Sequence, residues 1–413
     1  MSRTHFHTDC YSFSGSETTL MLLLDAAARR GDEFTFTYRR WPEYEHGLFR
    51  RLPAGVRARG LRLPDPADVK HAVTGGRPGT GARLVRGAIT LLPFRQLFLA
   101  YDTVRLTALL RKERPDVLHV NNGGLPGSIS CNAAAIAGRL AGVPVVVMVV
   151  NNLAFAYNRP GRWFDYPVDR LLVRSVTRFV TGSAAAGTAL RRVLRLPEGQ
   201  HVVIPNGVEQ RLPTASADET RSALGLSPGI AVVSVVARLE ARKGHRHLLD
   251  ALRLLPADRR AALRVLFAGA GPERGRLEQE VTRLGLTDVV QFLGDHPDPW
   301  SLYEVSDLVV LPSVRHEDLP IVLMEAMAAG VPAVASRVAG TVELIEAGVT
   351  GLLVEPAEPR QLADAIAGLL DDPDRRRAMG KAATLRYEAT YTPAQAVAAY
   401  RDLTDRLLTG VTA

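Results

Sequence analysis

Apolar residues in this chain gather in short unbroken runs instead of alternating with polar ones. FTFTYR (34–39), PDVLHV (115–120), VPVVVMVV (143–150), RFVTG (178–182) and HVVIPNG (201–207) mark the first half. AVVSVVA (231–237), LRVLFAG (263–269), VVQFLG (289–294), DLVVLPS (307–313), VPAVAS (331–336) and TGLLVEP (350–356) mark the second. Helix-length amphipathic segments lie between them. Strands without polar alternation, separated by helices, predict parallel sheets covered on both faces. The alternation restarts after IPNGVEQRLPTASADE (204–219), a bridge containing Pro, Gly and Ser that predicts a domain boundary. The pattern therefore predicts two doubly wound α/β domains in tandem, 1–208 and 209–392. A last helix, within 393–413, is expected to fold back on the first. Ligands of such sheets sit beyond the carboxyl ends of the strands, so the two domains are expected to face each other across a cleft.

Composition adds limits. A chain of 413 residues, 46% apolar and 23% charged, has the make-up of a soluble globular protein of two domains. Its two cysteines, Cys10 and Cys131, form neither a disulfide framework nor a metal-ligand spacing, which favours a reducing compartment. His5 and His7 alternate on the first strand without a third ligand near them, so a zinc site is not expected. No run approaches the ~20 apolar residues of a membrane span. TLMLLLDAAARRG (19–31) is interrupted by Asp25 and reads as a core helix, not a secretion signal. The expected location is cytoplasmic, with peripheral attachment at the inner membrane face as its refinement.

Charge is unevenly spread. Residues 1–208 hold 28 Lys and Arg against 15 Asp and Glu; the rest of the chain holds 23 against 28. Basic residues cluster between Arg39 and Leu63, interleaved with Trp41, Tyr44 and Phe49. Such a stretch suits an anionic partner, an acidic glycan or lipid headgroups. It equally suits an Arg-rich solvated face, since lysine occurs only at Lys70, Lys112, Lys243 and Lys381. No nucleic-acid motif accompanies it. Residues 64–90, with GGRPGTGAR, read as a loop.

The segment HEDLPIVLMEAMAAG (316–330) carries two glutamates, Glu317 and Glu325, in otherwise aliphatic surroundings. A buried carboxylate needs a partner. The spacing predicts a helix from Pro320 to Ala329, ended by Gly330, whose amino end lies beyond a strand and suits phosphate. Arg238 and Lys243, with Gly244 relaxing the turn, follow the first strand of the second half and offer cations to a diphosphate. In FAGAGPE, Gly269 and Gly271 permit close backbone approach. In SFSGSETTL, Gly15 lies between the first strand and first helix, a second loop-to-helix anion site.

These segments, in this order and spacing, resemble the retaining family-4 glycosyltransferases, which have two Rossmann-like domains in the GT-B arrangement. ARLEARKG, FAGAGPE, SVRHEDLPIVLMEAMAAGVPAVAS and TGLLVEP carry the resemblance, and it spans essentially the whole chain. By that resemblance Arg238 and Lys243 neutralise the donor diphosphate, and Glu317 binds donor-sugar hydroxyls. Glu325 then binds ribose. The backbone near Leu319, Pro320, Ile321 and the Ser14–Gly15 loop touches phosphate or sugar, and the segment near Leu293 lines the base pocket. His119 and Asn121 are candidate substrate contacts from the first domain. Three positions depart from the family pattern: Asp318 stands where Gly is usual, Ser14 replaces one of two loop glycines, and Asn121 stands where a His is frequent.

The resemblance implies transfer of a hexosyl group, with retention, from a nucleotide diphosphate sugar to an acceptor hydroxyl. UDP is the favoured nucleotide and GDP the alternative. It implies bacterial polysaccharide, glycolipid or secondary-metabolite biosynthesis. No Asp-x-Asp is present, and no metal or other cofactor is expected. Two rivals use the same scaffold: a sugar-nucleotide epimerase, and a non-catalytic sugar-nucleotide-binding subunit.

Overall fold

A computed structural model describes residues 2–411 except 12, 14, 67, 69–93 and 159. Ser14 and most of the 64–90 segment lie outside the described residues. By contacts the chain divides into two compact units, Met1–Pro205 with Ala396–Ala413, and Asn206–Gln395.

The first unit is built on seven parallel strands: β1 (Thr4–Asp9), β2 (Phe34–Arg39), β3 (Ala58–Leu61), β4 (Val117–Asn122), β5 (Val145–Val150), β6 (Arg178–Thr181) and β7 (His201–Val203). Their order is β3-β2-β1-β4-β5-β6-β7. The second unit has six: β8 (Ala231–Val236), β9 (Leu263–Ala268), β10 (Val290–Gly294), β11 (Leu308–Leu311), β12 (Ala333–Ser336) and β13 (Gly351–Val354), in the order β10-β9-β8-β11-β12-β13. Order reverses at β1/β4 in one sheet and at β8/β11 in the other, the switch points where ligands of such sheets bind. The expected class of two doubly wound, Rossmann-like units is what forms.

The apolar runs explain the layers. Residues of β5 are buried throughout because helices cover both faces. On one side Leu118, Val120, Val146 and Met148 pack under the helix Ile129–Ala141. On the other, Phe6, Val145 and Val147 share a cluster with Leu20 and Leu24 of the helix Gly15–Arg30. Tyr400 and Leu403 of the helix Pro393–Val411 complete that cluster. In the second unit, Val233, Val265 and Val310 pack with Leu248, Leu252 and Ile366, and Val309, Leu311 and Ala335 pack with Leu323 and Met327 on the opposite face.

Two expectations need correction. The stretch from Arg39 to Leu63 is exposed at Arg40, Arg50, Arg51, Arg57, Arg59 and Arg62, but not throughout. Arg39 and Tyr44 are buried, and the Arg39 guanidinium lies over the rings of Tyr11 and Trp41 at 5.6 and 5.2 Å. The stretch contains β3 and the helix Pro42–Phe49, in which Tyr44 turns inward and Phe49 outward. The helix expected from Pro320 to Ala329 runs from Ile321 to Ala328, with Pro320 in extended conformation before it.

Candidate active site

In the second unit the loops leaving β8 and β9 lie side by side. Ala237 and Leu239 donate their amides to the carbonyls of Ala268 and Ala270 at 3.0 and 2.9 Å, and Glu273 donates to Leu239 at 3.0 Å. A Cβ at Gly269 would collide with the Ala237 carbonyl, and one at Gly271 with that of Leu239. Both glycines thus hold the Arg238 loop in place. Gly244 has φ 72°, and a Cβ there would meet the Pro312 carbonyl, so glycine lets the β8 loop close on the loop leaving β11.

That closure brings charges together. Lys243 Nζ lies 2.6 Å from Glu317 Oε1, which also accepts from the Ser313 hydroxyl at 2.6 Å. Arg242 Nη1 lies 3.5 Å from the same carboxylate and donates to the His316 carbonyl at 3.2 Å. Glu240 grips Arg238 at 2.9 Å with one oxygen and Arg242 at 2.8 Å with the other. Burial holds the Lys243 ammonium below its ordinary pKa, while Glu317 works in the opposite direction. Glu317 is almost fully buried, whereas the Arg238 side chain is 60% exposed.

Glu325 finds its partner in the buried hydroxyl of Tyr303, which donates at 2.7 Å. Burial raises the Glu325 pKa; the Tyr303 hydrogen bond and the Arg211 charge pull it back. The loop before the helix takes its left-handed turn at His316, with φ 58°, and not at Asp318, where the family pattern has glycine.

In the first unit, Glu17 lies in the opening turn of the helix that begins at Gly15. Its carboxylate accepts from Thr8 (3.0 Å), Cys10 (3.1 Å), Tyr44 (2.5 Å) and Asn121 (2.8 Å). Burial raises its pKa and these donors lower it. The Asn121 amide also donates to the Ser16 carbonyl at 3.2 Å and accepts from Asn151 at 2.8 Å.

Residues 216–386 match the family described as glycosyl transferases group 1, and residues 14–207 match a glycosyl transferase 4-like domain. An alpha-D-kanosaminyltransferase from Streptomyces kanamyceticus is 31% identical over 266 residues, covering 62% of this chain and 68% of the relative. The chain belongs to the group 1 glycosyltransferases. A D-inositol 3-phosphate glycosyltransferase from Catenulispora acidiphila is 30% identical over 311 residues, 71% of each chain. The crystal structure of HepE from Anabaena, in complex with UDP and glucose, aligns over 98% of this chain and 100% of its own with a TM-score of 0.75 at 21% identity.

The structure gathers most of the glycosyltransferase's expected donor-side residues at one sheet edge: Arg238, Lys243, Gly269, Gly271, Glu317 and the start of the Ile321–Ala328 helix. Pro320 has no N–H to offer; the Leu319 side chain packs in the core, and the helix itself opens at Ile321. The Leu293 side chain packs among Leu226, Leu266 and Leu302. His119 is displaced from its expected role. It lies in the middle of β4, is 4% exposed, and its ring sits 5.2 Å from Phe6 and 5.5 Å from Tyr400. Burial holds its pKa at about 4. Asn121 acts on the Gly15 helix through Glu17. Arg242, Glu240 and Glu17 went unnoticed in the sequence. Arg242 and Glu240 stood inside ARLEARKG, and Glu17 followed Gly15 by two.

Proposed function

We propose that this glycosyltransferase moves a hexosyl group from a nucleotide diphosphate sugar, UDP-linked in preference to GDP-linked, to an acceptor hydroxyl with retention and without a metal. The observation that carries the reading is the convergence of Lys243 and Arg242 on Glu317, directly before the helix at Ile321. A diphosphate at this edge competes with Glu317 for Lys243, recruits exposed Arg238, and frees the Glu317 carboxylate for sugar hydroxyls. Glu325, on the same helix, is assigned to ribose, with Tyr303 fixing its orientation. The HepE complex with UDP and glucose supports a uridine donor.

The resemblance implies front-side attack by the acceptor. As the glycosyl bond breaks, negative charge builds on the departing diphosphate, which takes the acceptor's proton. Lys243, Arg238 and the Ile321 helix end then stabilise the leaving group more than the ground state, the condition for catalysis. Cations and helix dipole do the work a metal would otherwise do. The basic first half favours an acceptor that is anionic or held at an anionic membrane surface. A relative named for D-inositol 3-phosphate fits that preference. No helix among the described residues is long and apolar enough to cross a membrane.

A thermal-shift panel of nucleotide sugars, followed by transfer assays with the best donor, tests the reading. Stabilisation by UDP-sugars is expected, with product formed only when acceptor is added. Conversion of the donor alone would instead reveal an epimerase, and binding without transfer a non-catalytic subunit.

A further inference from the structure

One face of the first sheet departs from the apolar rule. Side chains alternate along a strand, so His5, His7 and Asp9 of β1 point to the same side. β1 pairs in register with β2, His5 against Thr35 and His7 against Thr37. The neighbouring positions on that face, Leu118, Val120, Val146 and Met148, are apolar. His5, His7, Asp9 and Thr37 are each no more than 5% exposed. A buried polar row is costly unless every member is paired.

Here the pairing is continuous. Glu113 Oε2 lies 2.7 Å from His5 Nδ1, and His5 Nε2 lies 2.9 Å from the Thr37 hydroxyl. Thr37 is 2.9 Å from His7 Nδ1, and His7 Nε2 is 3.1 Å from the Ser130 hydroxyl. Ser130 donates to Asp9 Oδ2 at 2.7 Å. The row starts at partly exposed Glu113, beside the amino end of β1, and stops at the last residue of β1, where the loop to Gly15 departs.

Thr37 can also donate to the Phe6 carbonyl at 3.3 Å, but two arrangements give the row one continuous direction. In one, His5 is an imidazolium paired with Glu113, and every hydrogen bond points toward an ionised Asp9. In the other, His5 is neutral with its proton on Nδ1, every bond points back toward Glu113, and Asp9 is a neutral carboxyl. The two differ only in where one proton sits. Passage from the first to the second moves the His5 Nε2 proton to Thr37 and the Thr37 proton to His7 Nδ1. It then moves the His7 Nε2 proton to Ser130 and the Ser130 proton to Asp9. His5 loses one proton, Asp9 gains one, and no co-reactant is needed.

We propose that the Glu113–His5–Thr37–His7–Ser130–Asp9 row is a proton relay, through which the charge of Asp9 beside the Gly15 loop is set from the opposite edge of the sheet. The groups facing each end decide the balance. Arg39 on β2, 3.8 Å from Asp9, favours the carboxylate; Asp65 and the buried Asp102 oppose it. At the other end Glu113 faces His5 at 2.7 Å and Arg59 faces Glu113 at 3.7 Å. His7 passes protons without keeping one, since burial and the His5 charge hold its pKa at about 3.

The test follows the histidine ring nitrogens by 15N NMR and the aspartate carboxyls by 13C NMR across pH in the full chain. Asp9→Asn assigns the Asp9 signal. The two arrangements carry the same number of protons, so the step followed with rising pH is loss of the shared proton. In the wild type the His5, His7 and Asp9 signals are expected to move with one midpoint. Thr37→Val keeps shape and charge but cuts the row, so Asp9 should then titrate without the His5 ring responding; Thr37→Ser should restore the coupling. Glu113→Gln removes the anion that holds the imidazolium and should move the shared midpoint to lower pH by roughly one unit. Separate midpoints for His5 and Asp9 in the wild type, or coupling that survives in Thr37→Val, would overturn the relay.

Discussion

Lys243 and Glu317, 74 positions apart in sequence, form a buried ion pair of 2.6 Å at the carboxyl edge of the second sheet. The carboxylate and the cation assigned to opposite ends of a donor are each other's partners. This makes the two residues interdependent in stability as well as in catalysis. Lys243→Met leaves Glu317 buried with Ser313 and Arg242 only, and is expected to cost about 3 kcal/mol. Adding Glu317→Gln should recover most of that loss, because the uncompensated charge is gone, yet transfer should stay at least ~10²-fold down. Denaturant midpoints and kcat/KM of the single and double variants check both halves.

Arg238 provides the contrast. Its side chain is exposed and, among the described residues, ion-paired with Glu240 alone. Exposed pairs of this kind contribute little to stability, ~0–1 kcal/mol. Arg238→Ala should therefore melt within a few degrees of the wild type while transfer falls ~10²-fold. Unchanged turnover would remove Arg238 from the leaving-group site.

Chelation addresses the charge argument directly. Among the described residues no group of three or more His, Cys, Asp or Glu side chains is arranged to hold a metal ion. Transfer is expected to continue in excess EDTA. Loss of activity that manganese or magnesium restores would contradict the assignment of leaving-group stabilisation to Lys243, Arg238 and the Ile321 helix.

Asp102 gives the fold a pH signature. It is fully buried, neither carboxylate oxygen has a hydrogen-bond partner among the described residues, and burial first, then Asp9, raises its pKa to about 7. Between roughly pH 4 and pH 7 the folded state holds a proton that the unfolded state releases, so this group's contribution to stability falls as pH rises through that window. Asp102→Asn should match the wild type near pH 4 and exceed it by up to about 4 kcal/mol near pH 8, at ~1.4 kcal/mol per pKa unit. Urea unfolding at the two pH values checks the sign.

Attachment to anionic vesicles tests the acceptor reading. Buried Arg39 contributes nothing to a surface, but Trp163 and Phe164 are 62% and 60% exposed in the same basic unit. Co-sedimentation with anionic vesicles is expected to exceed that with neutral ones and to weaken with salt, since surface attraction is screened beyond roughly 8 Å at physiological ionic strength. Equal partition would favour a small soluble acceptor.

Much of the architecture was written in local sequence. Runs such as VPVVVMVV and LRVLFAG announce two-faced parallel strands because only covered sheets bury both sides of a strand. The restart after the bridge at 204–219 announces a second sheet. β3 escaped notice because ARGL carries almost no apolar signal: an edge strand needs only its pairing with β2. HEDLPIVLMEAMAAG and ARLEARKG marked the site residues by spacing and chemical type. Which atoms meet could not be read there, because the partners are set by long-range closure. Gly244 against Pro312 decides that Lys243 reaches Glu317, and packing across the sheet decides that Tyr303 takes Glu325. THFHTD and FTFTYR showed polar residues at period two, but only the β1–β2 register and the helix bearing Ser130 join them into one hydrogen-bonded row. The sequence determined residue types and their faces; the tertiary structure decided which charges face which, because a buried ion pair depends on ångström distances between segments far apart along the chain.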